Sequence, residues 1–184
     1  MSTETQMTAE QLLRMPDDGN RYELVAGELK MMSPAGGTHG RVAARLNWLL
    51  YGYVEAQRLG EVFAAETGFL LSRDPDTVRA PDVACVRAAR LPPQTPAEAY
   101  WPVVPDLVAE VLSPDTTIRE LDRKVRDWLG AGCRAVWVVD PEAHTITVHR
   151  SATDVALLTE QDDLEGGDVV PGFRCPVADV FARL

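Results

Sequence analysis

The sequence predicts an α/β (α+β) fold in which a mixed β-sheet is flanked by helices. Three observations lead there. Asp106-Leu-Val-Ala-Glu-Val-Leu112 and Arg134 to Val139 are nearly continuous apolar runs, the pattern of strands covered on both faces. Between them Thr117-Ile-Arg-Glu120 is a capping box, opening a helix to about Leu129 that Gly130 and Gly132 close. Upstream, His39, Val42, Leu46, Leu49, Leu50 and Tyr53 recur at helical spacing, giving a long helix from about Thr38 to Leu59 that Gly60 ends.

The remaining elements follow in order. Thr8-Ala-Glu-Gln11 is a first capping box, with a short helix through Arg14 stopped by Pro16. Arg21–Val25 and Glu28–Met32 read as a hairpin across Ala26-Gly27, and Ser33 to Gly37 as a loop. Strands are expected near Glu61–Ala64 and Thr67–Leu71, then a turn at Asp74-Pro75-Asp76. Pro81 to Val86 is a short apolar strand with Asp82 at its entrance. Residues 88–104 hold Pro92, Pro93, Pro96 and Pro102, a long surface loop with one helical turn near Ala97–Tyr100. His144 to Arg150 alternates as a half-exposed strand. The tail offers strands near Ala156–Thr159 and Asp168–Val170 and a helix near Val177–Phe181. The 184 residues suit one domain, with a disordered tail over 1–9 and an acidic, β-rich extension over 151–184.

With 46% hydrophobic and 25% charged residues, the composition excludes wholesale disorder and fibrous architecture. No apolar run approaches the ~20 residues of a membrane helix, and Met1 to Glu10 is polar without a basic-then-apolar pattern. The expectation is a cytoplasmic protein with no membrane partner. The net charge of −10 excludes a passive nucleic-acid coat, which needs a basic footprint. Residues 151–184 alone carry seven acidic and two basic side chains, five of the ten excess negatives. Cys85, Cys133 and Cys175 are far apart and form no CxxC pair, so they read as buried reduced thiols rather than a zinc site. Only two lysines occur, Lys30 and Lys124.

The residues that carry chemistry stand out by being misplaced. Glu110 interrupts a core strand, where a carboxylate is costly unless paired, protonated or bound to a metal. Asp82 presents the same oddity on a second strand. Side by side, the two would repel each other, and a hard divalent cation relieves that repulsion. The alternative is a strand-end Asp82 capping a loop and a Glu110 salt-bridged to an arginine. Lys124 falls on the border of the stripe formed by Ile118, Leu121, Val125, Trp128 and Leu129, so its stem can lie along the sheet while its ammonium reaches the edge. Its other reading is an i,i+4 pair with Glu120, although the capping box already engages Glu120. His39 points inward from the first turn of the long helix, as a site group or as a satisfied core histidine. Gly36-Gly37-Thr38-His39-Gly40 could cradle a phosphate, but it is no Walker motif. Glu23, between Tyr22 and Leu24, reads by itself as part of a solvated face.

Arg21-Tyr-Glu-Leu-Val-Ala-Gly-Glu28, Ser33-Pro34 followed by His39, Pro81-Asp82-Val83, Pro105-Asp-Leu-Val-Ala-Glu-Val-Leu-Ser-Pro114, Lys124 and Val136-Trp-Val-Val-Asp-Pro141 together resemble the Uma-two family of endonucleases. The resemblance runs from about Glu10 to Phe181 and implies the restriction endonuclease-like PD-(D/E)XK fold. It further implies hydrolysis of phosphodiester bonds in nucleic acid, DNA before RNA, with Mg2+ (or Mn2+). Asp82 matches the first metal-binding carboxylate and Glu110 the second, with the Val111 carbonyl as a further ligand; Lys124 matches the catalytic lysine. His39 and Glu23 match accessory positions, and folds of this class often form a homodimer. Two departures stand out. Leu112 occupies the position where the wider superfamily places lysine, and Trp128 stands where the family tends to have tyrosine. A catalytically silent binding or regulatory module is therefore the competing reading. Arg119, Arg123 and Arg126 form either a footprint for a nucleic-acid backbone or a solvated helix face.

Overall fold

The computed structural model describes residues 6–94 and 99–182. Its centre is a six-stranded sheet made of β3 (Gly60–Ala64), β6 (Val83–Arg87), β7 (Leu107–Val111), β8 (Ala135–Asp140), β9 (Thr145–His149) and β10 (Val155–Leu158). The spatial order is β10-β9-β8-β7-β6-β3, and only β7 and β8 run parallel. A parallel pair needs a crossover, and α3 (Ile118–Gly130) supplies it. The mixed sheet flanked by helices is thus the architecture observed.

Every residue of β7 is buried, and its side chains alternate between two cores. Leu107, Ala109 and Val111 join Val83, Cys85, Trp137 and Val139 against Val42, Leu46, Leu50 and Val54 of α2 (Gly37–Gln57). Val108 joins Ala84, Val86, Val136 and Val138 on the opposite face, against Val125 and Trp128 of α3. Glu110 shares that second face by parity. α4 (Val177–Phe181) packs beside α2, where Arg41 donates to the Phe181 and Ala182 carbonyls at 3.1 and 2.9 Å. These bonds satisfy carbonyls at the end of a short helix.

A second sheet, four-stranded, has the order β2-β1-β5-β4, from β1 (Arg21–Val25), β2 (Glu28–Met32), β4 (Phe69–Ser72) and β5 (Thr77–Arg79). The β1–β2 turn is the expected Ala26-Gly27, with φ of 51° and 79°. Positive φ at both central residues is what a two-residue hairpin turn of the right twist requires. A Cβ at Gly27 would also come within 2.6 Å of Gln6 Cβ. α1 (Ala9–Leu13) starts on the Thr8 capping box and buries Ala9 and Leu12 with Leu24 and Val78. The Met7 amide donates to the Gly27 carbonyl at 2.9 Å, so residues 7–9 are part of the fold rather than of the tail expected over 1–9; residues 1–5 of that expectation lie outside the described ones.

Several local expectations need correction. Ile118 is not in the buried stripe of α3 but 82% exposed, because the first helical residue stands clear of the sheet. α2 ends at Gln57, capped by Arg58 in the left-handed conformation with φ 54°, and Gly60 already belongs to β3. In the tail, Asp168–Val170 is a turn; the pairing strands are β11 (Asp163–Glu165) and β12 (Arg174–Pro176). The helical turn expected at Ala97–Tyr100 starts on residues outside the described ones; the preceding loop holds one 3₁₀ turn at Ala88–Arg90. The three cysteines are buried and unpaired, and burial pushes the Cys85 and Cys133 thiols up to about 12 and Cys175 to about 11. None is a thiolate nucleophile at neutral pH. Among the described residues no helix is long and apolar enough to cross a membrane.

Asp106, at the entrance to β7, is wholly buried and anchors the loop that precedes it. Its carboxylate accepts the Arg87 amide, the Arg87 guanidinium and the Arg90 guanidinium, each at 3.0 Å. Burial by itself would raise this carboxyl, but the Arg87 amide and the two guanidiniums outweigh it and hold it below the usual carboxylate value. A lowered pKa stabilises the fold above the unfolded-state value and ceases to do so as pH falls through the folded one. Asp106→Asn is therefore expected to cost about 2 kcal/mol at pH 7 in denaturant unfolding. The gap between variant and wild type should close progressively below about pH 4.

Candidate active site

The site lies where β6 begins and β7 ends. The β6–β7 ladder pairs Cys85 with Leu107, Ala84 with Val108 and Val83 with Ala109. One further step in that register sets Asp82 opposite Glu110, as two antiparallel strands with carboxylates at their adjoining ends must do. Asp82 Oδ2 accepts the Val111 amide at 2.7 Å, which fixes the aspartate against the end of β7.

Glu110 is 4% exposed, and each of its oxygens has a donor. Lys124 Nζ donates to Oε2 and Trp128 Nε1 donates to Oε1, both at 2.8 Å. The donors sit one turn apart on α3, so the helix that covers this face of the sheet also satisfies its buried charge. Burial drives the Glu110 carboxyl above its usual pKa, reinforced by Glu23 and Asp82 and opposed by Lys124. For Lys124, burial disfavours the ammonium, but the pull of Glu110 and Glu23 outweighs it and the group is held above its ordinary value. The ammonium is therefore charged at neutral pH. The i,i+4 pair with Glu120 does not form, because Glu120 closes the Thr117 capping box.

His39 approaches from the first turn of α2, its Nε2 at 3.3 Å from Asp82 Oδ2. Asp82, against the opposing effect of burial, raises the imidazole above its ordinary value, and the Val111 carbonyl and Glu110 add to this. His39 Nδ1 is buried without a hydrogen-bond partner, so this is not a satisfied core histidine. The Asp82 contacts all use Oδ2, leaving Oδ1 without a protein partner among the described residues.

Glu23 is 2% exposed, which overturns its reading as part of a solvated face. It accepts the Arg79 guanidinium at 2.6 Å and the Ala80 amide at 3.0 Å. Arg79 also reaches Asp127 of α3, Nε to Oδ2 at 3.2 Å, with a second contact from Nη2 to the same oxygen. Arg79 and Asp127 were not singled out from the sequence. The available signal was the brief Thr77-Val-Arg79 alternation after the Asp74-Pro75-Asp76 turn, which forms β5. Only Ala80, Pro81 and Asp82 separate β5 from β6, so this short join carries one sheet into the other and places Arg79 and Asp82 at the same site.

Glu23, His39, Arg79, Asp82, Glu110, Val111 and Lys124 line a cleft of about 890 Å³. Its rim includes Arg21, Lys30 and Arg123, of which Arg21 is paired with Glu66 and Lys30 with Glu28. Arg119, Arg123 and Arg126 are all exposed, but only Arg123 faces the cleft. Asp82, Glu110 and the Val111 carbonyl are hard oxygen donors suited to a small divalent cation. Among the described residues, no group of three or more His, Cys, Asp and Glu side chains is placed to hold a metal ion.

The sequence profile of the Uma2 family, described as "Putative restriction endonuclease", matches residues 9–178. The chain belongs to the Uma2 family. A solved structure of similar fold is the "Crystal structure of a putative nuclease belonging to DUF820" from Anabaena variabilis ATCC 29413. It superposes with a TM-score of 0.82 at 20% identity, over 95% of this chain and 97% of that one, and shows the fold. No curated protein matches the sequence. Leu112 is apolar at the end of β7, and it is Lys124, on the neighbouring helix, that brings an ammonium to Glu110. Trp128 lacks the phenol expected there, yet its indole N–H supplies a donor.

Lys124→Met is expected to destabilise the protein by about 3 kcal/mol, since it leaves a buried carboxylate without its cation. Adding Glu110→Gln should recover part of that loss, with a coupling energy of about 1–3 kcal/mol in a double-mutant cycle of unfolding measurements.

Proposed function

We propose that this Uma2 protein is a Mg2+- or Mn2+-dependent endonuclease that hydrolyses phosphodiester bonds, with DNA as the expected substrate. The supporting observation is the convergence, at one strand end, of Asp82, Glu110 and the Val111 carbonyl with the charged Lys124. A core site of this kind is a poor way to gain stability, since well-packed apolar residues would serve as well or better. Asp82 Oδ1, Glu110 Oε2 and the Val111 carbonyl would hold the ion, and the buried, unpartnered His39 Nδ1 fits a site that takes a further group. The ion supplies charge neutralisation at the scissile phosphate and activation of a water.

The chain's own residues do the rest. Lys124 orients the attacking water or stabilises charge on the phosphate in the transition state. His39, held by Asp82, and Glu23, held by Arg79, line the pocket and fix these neighbours in place. The backbone of the nucleic acid is met by Arg123, with Arg119 and Arg126 further out on the same helix. A catalytically silent module is the second reading, favoured by the self-contained pairing of Glu110 with Lys124 and Trp128.

Titration of Mg2+ or Mn2+ by calorimetry into wild type and Asp82→Ala, beside cleavage assays on single- and double-stranded DNA, separates the two. Binding in the wild type should vanish in Asp82→Ala, and Lys124→Ala should lower cleavage by about 10²–10³-fold. A wild type that binds no divalent ion at millimolar concentration fails the nuclease reading. Affinity for an oligonucleotide should fall with salt at a log–log slope of roughly −3, and Arg123→Ala should make that slope shallower by about 1.

A further inference from the structure

Glu110 presents two oxygens in different circumstances. Oε2 meets Lys124, whose side chain is 20% exposed at the cleft. Oε1 meets the indole of Trp128, which is wholly buried and packed edge-on to Phe69, with ring centroids 6.5 Å apart. The two donors differ in kind. An ammonium has three rotatable protons on a flexible stem and can follow a carboxylate that turns. An indole has one N–H in a fixed direction and no acceptor capacity. Turning the carboxylate away would strand a buried N–H, at a cost of about 1–3 kcal/mol. Trp128 therefore holds the carboxylate in one rotation and leaves a single oxygen for the cleft.

A carboxylate held in this way can offer a cation one oxygen, not two. Mg2+ suits that arrangement, since it takes octahedral geometry from one or two carboxylates and keeps several waters. Ca2+ is larger, takes six to eight oxygens and gains from bidentate carboxylates. We propose that Trp128 is a specificity-determining residue of this site: its N–H fixes Glu110 as a one-oxygen ligand and thereby favours Mg2+ or Mn2+ over Ca2+. This inference rests on the reading of Asp82 and Glu110 as a cation site, and it assigns to Trp128 a positioning role beyond core packing.

The test titrates Mg2+ and Ca2+ separately, by calorimetry, into wild type, Trp128→Phe and Val125→Ala. Val125 packs in the same core as Trp128 and has no side-chain donor to offer Glu110, and so reports any general loosening of α3. Trp128→Phe is expected to reduce the Mg2+-to-Ca2+ affinity ratio by at least about tenfold, the scale of a substitution behind a metal ligand. Val125→Ala should leave the ratio unchanged, whatever it does to each affinity. A ratio that stays constant in Trp128→Phe, or shifts equally in Val125→Ala, overturns the proposal while leaving the cation site standing. A wild type that binds neither ion overturns both. A second measurement needs no variant. In ¹⁵N spectra of the wild type, the Trp128 indole N–H should remain protected from exchange at Mg2+ saturation, and its loss of protection on Mg2+ binding overturns the proposal.

Discussion

A carboxylate in the middle of an apolar sheet has to be satisfied from somewhere, and the fold is arranged around how Glu110 meets that demand. Its strand is the most buried in the molecule, so water cannot help. Its donors come instead from α3, through Lys124 and Trp128, and the helix that crosses between the two parallel strands is thereby also the helix that satisfies the charge. The position of α3 on the sheet is constrained twice, by the apolar contacts of Val125 and Trp128 and by the direction of two hydrogen bonds. A shift of one helical turn would keep an apolar face on the sheet but leave Glu110 unpaired.

Arg79 extends the same logic to the second sheet. Its side chain is at least as buried as that of Glu110 and lies between Glu23 on β1 and Asp127 on α3. The four-stranded sheet is thus tied to the helix over the central sheet by charge as well as by the short Ala80-to-Asp82 join. Alternating signs run Glu110, Lys124, Glu23, Arg79, Asp127, so no carboxylate in the series lacks a cation beside it. Asp82 is different: its neighbours are an amide and an imidazole, and one of its oxygens lacks a protein partner. That asymmetry leaves Asp82, unlike Glu110, without a lysine or arginine beside it among the described residues.

Much of this could be read from the chain. β7, α3, both capping boxes and the Ala26-Gly27 hairpin follow from local signals, and the structure has them where the sequence puts them. Glu110 was visible as a charge in an apolar run, and Lys124 as a residue on the margin of a helical stripe. What escaped was nonlocal or too short to show a period. β5 has three residues, too few for alternation to register, and its loss concealed Arg79. Glu23 lies on a hairpin strand whose partner sheet could not be foreseen, so its burial could not either. Asp127, one residue before Trp128, looked like an ordinary exposed charge because its partner lies 48 residues away. β11, Asp-Leu-Glu, runs against strand propensity and forms only because Arg174 and Cys175 offer it a ladder.

The span of Arg79's contacts has a consequence for how the molecule is made. Its partners lie 56 residues before it and 48 after it, so no stretch of emerging chain contains a working fragment of this arrangement. Contacts of such long sequence separation close late, after the entropy of the intervening loops has been overcome. During synthesis the N-terminal hairpin can form early, but Glu23 must wait for β5, and Arg79 must wait for α3. The cleft therefore comes together only when nearly the whole domain has been synthesised, and a growing chain carries no part-built version of it.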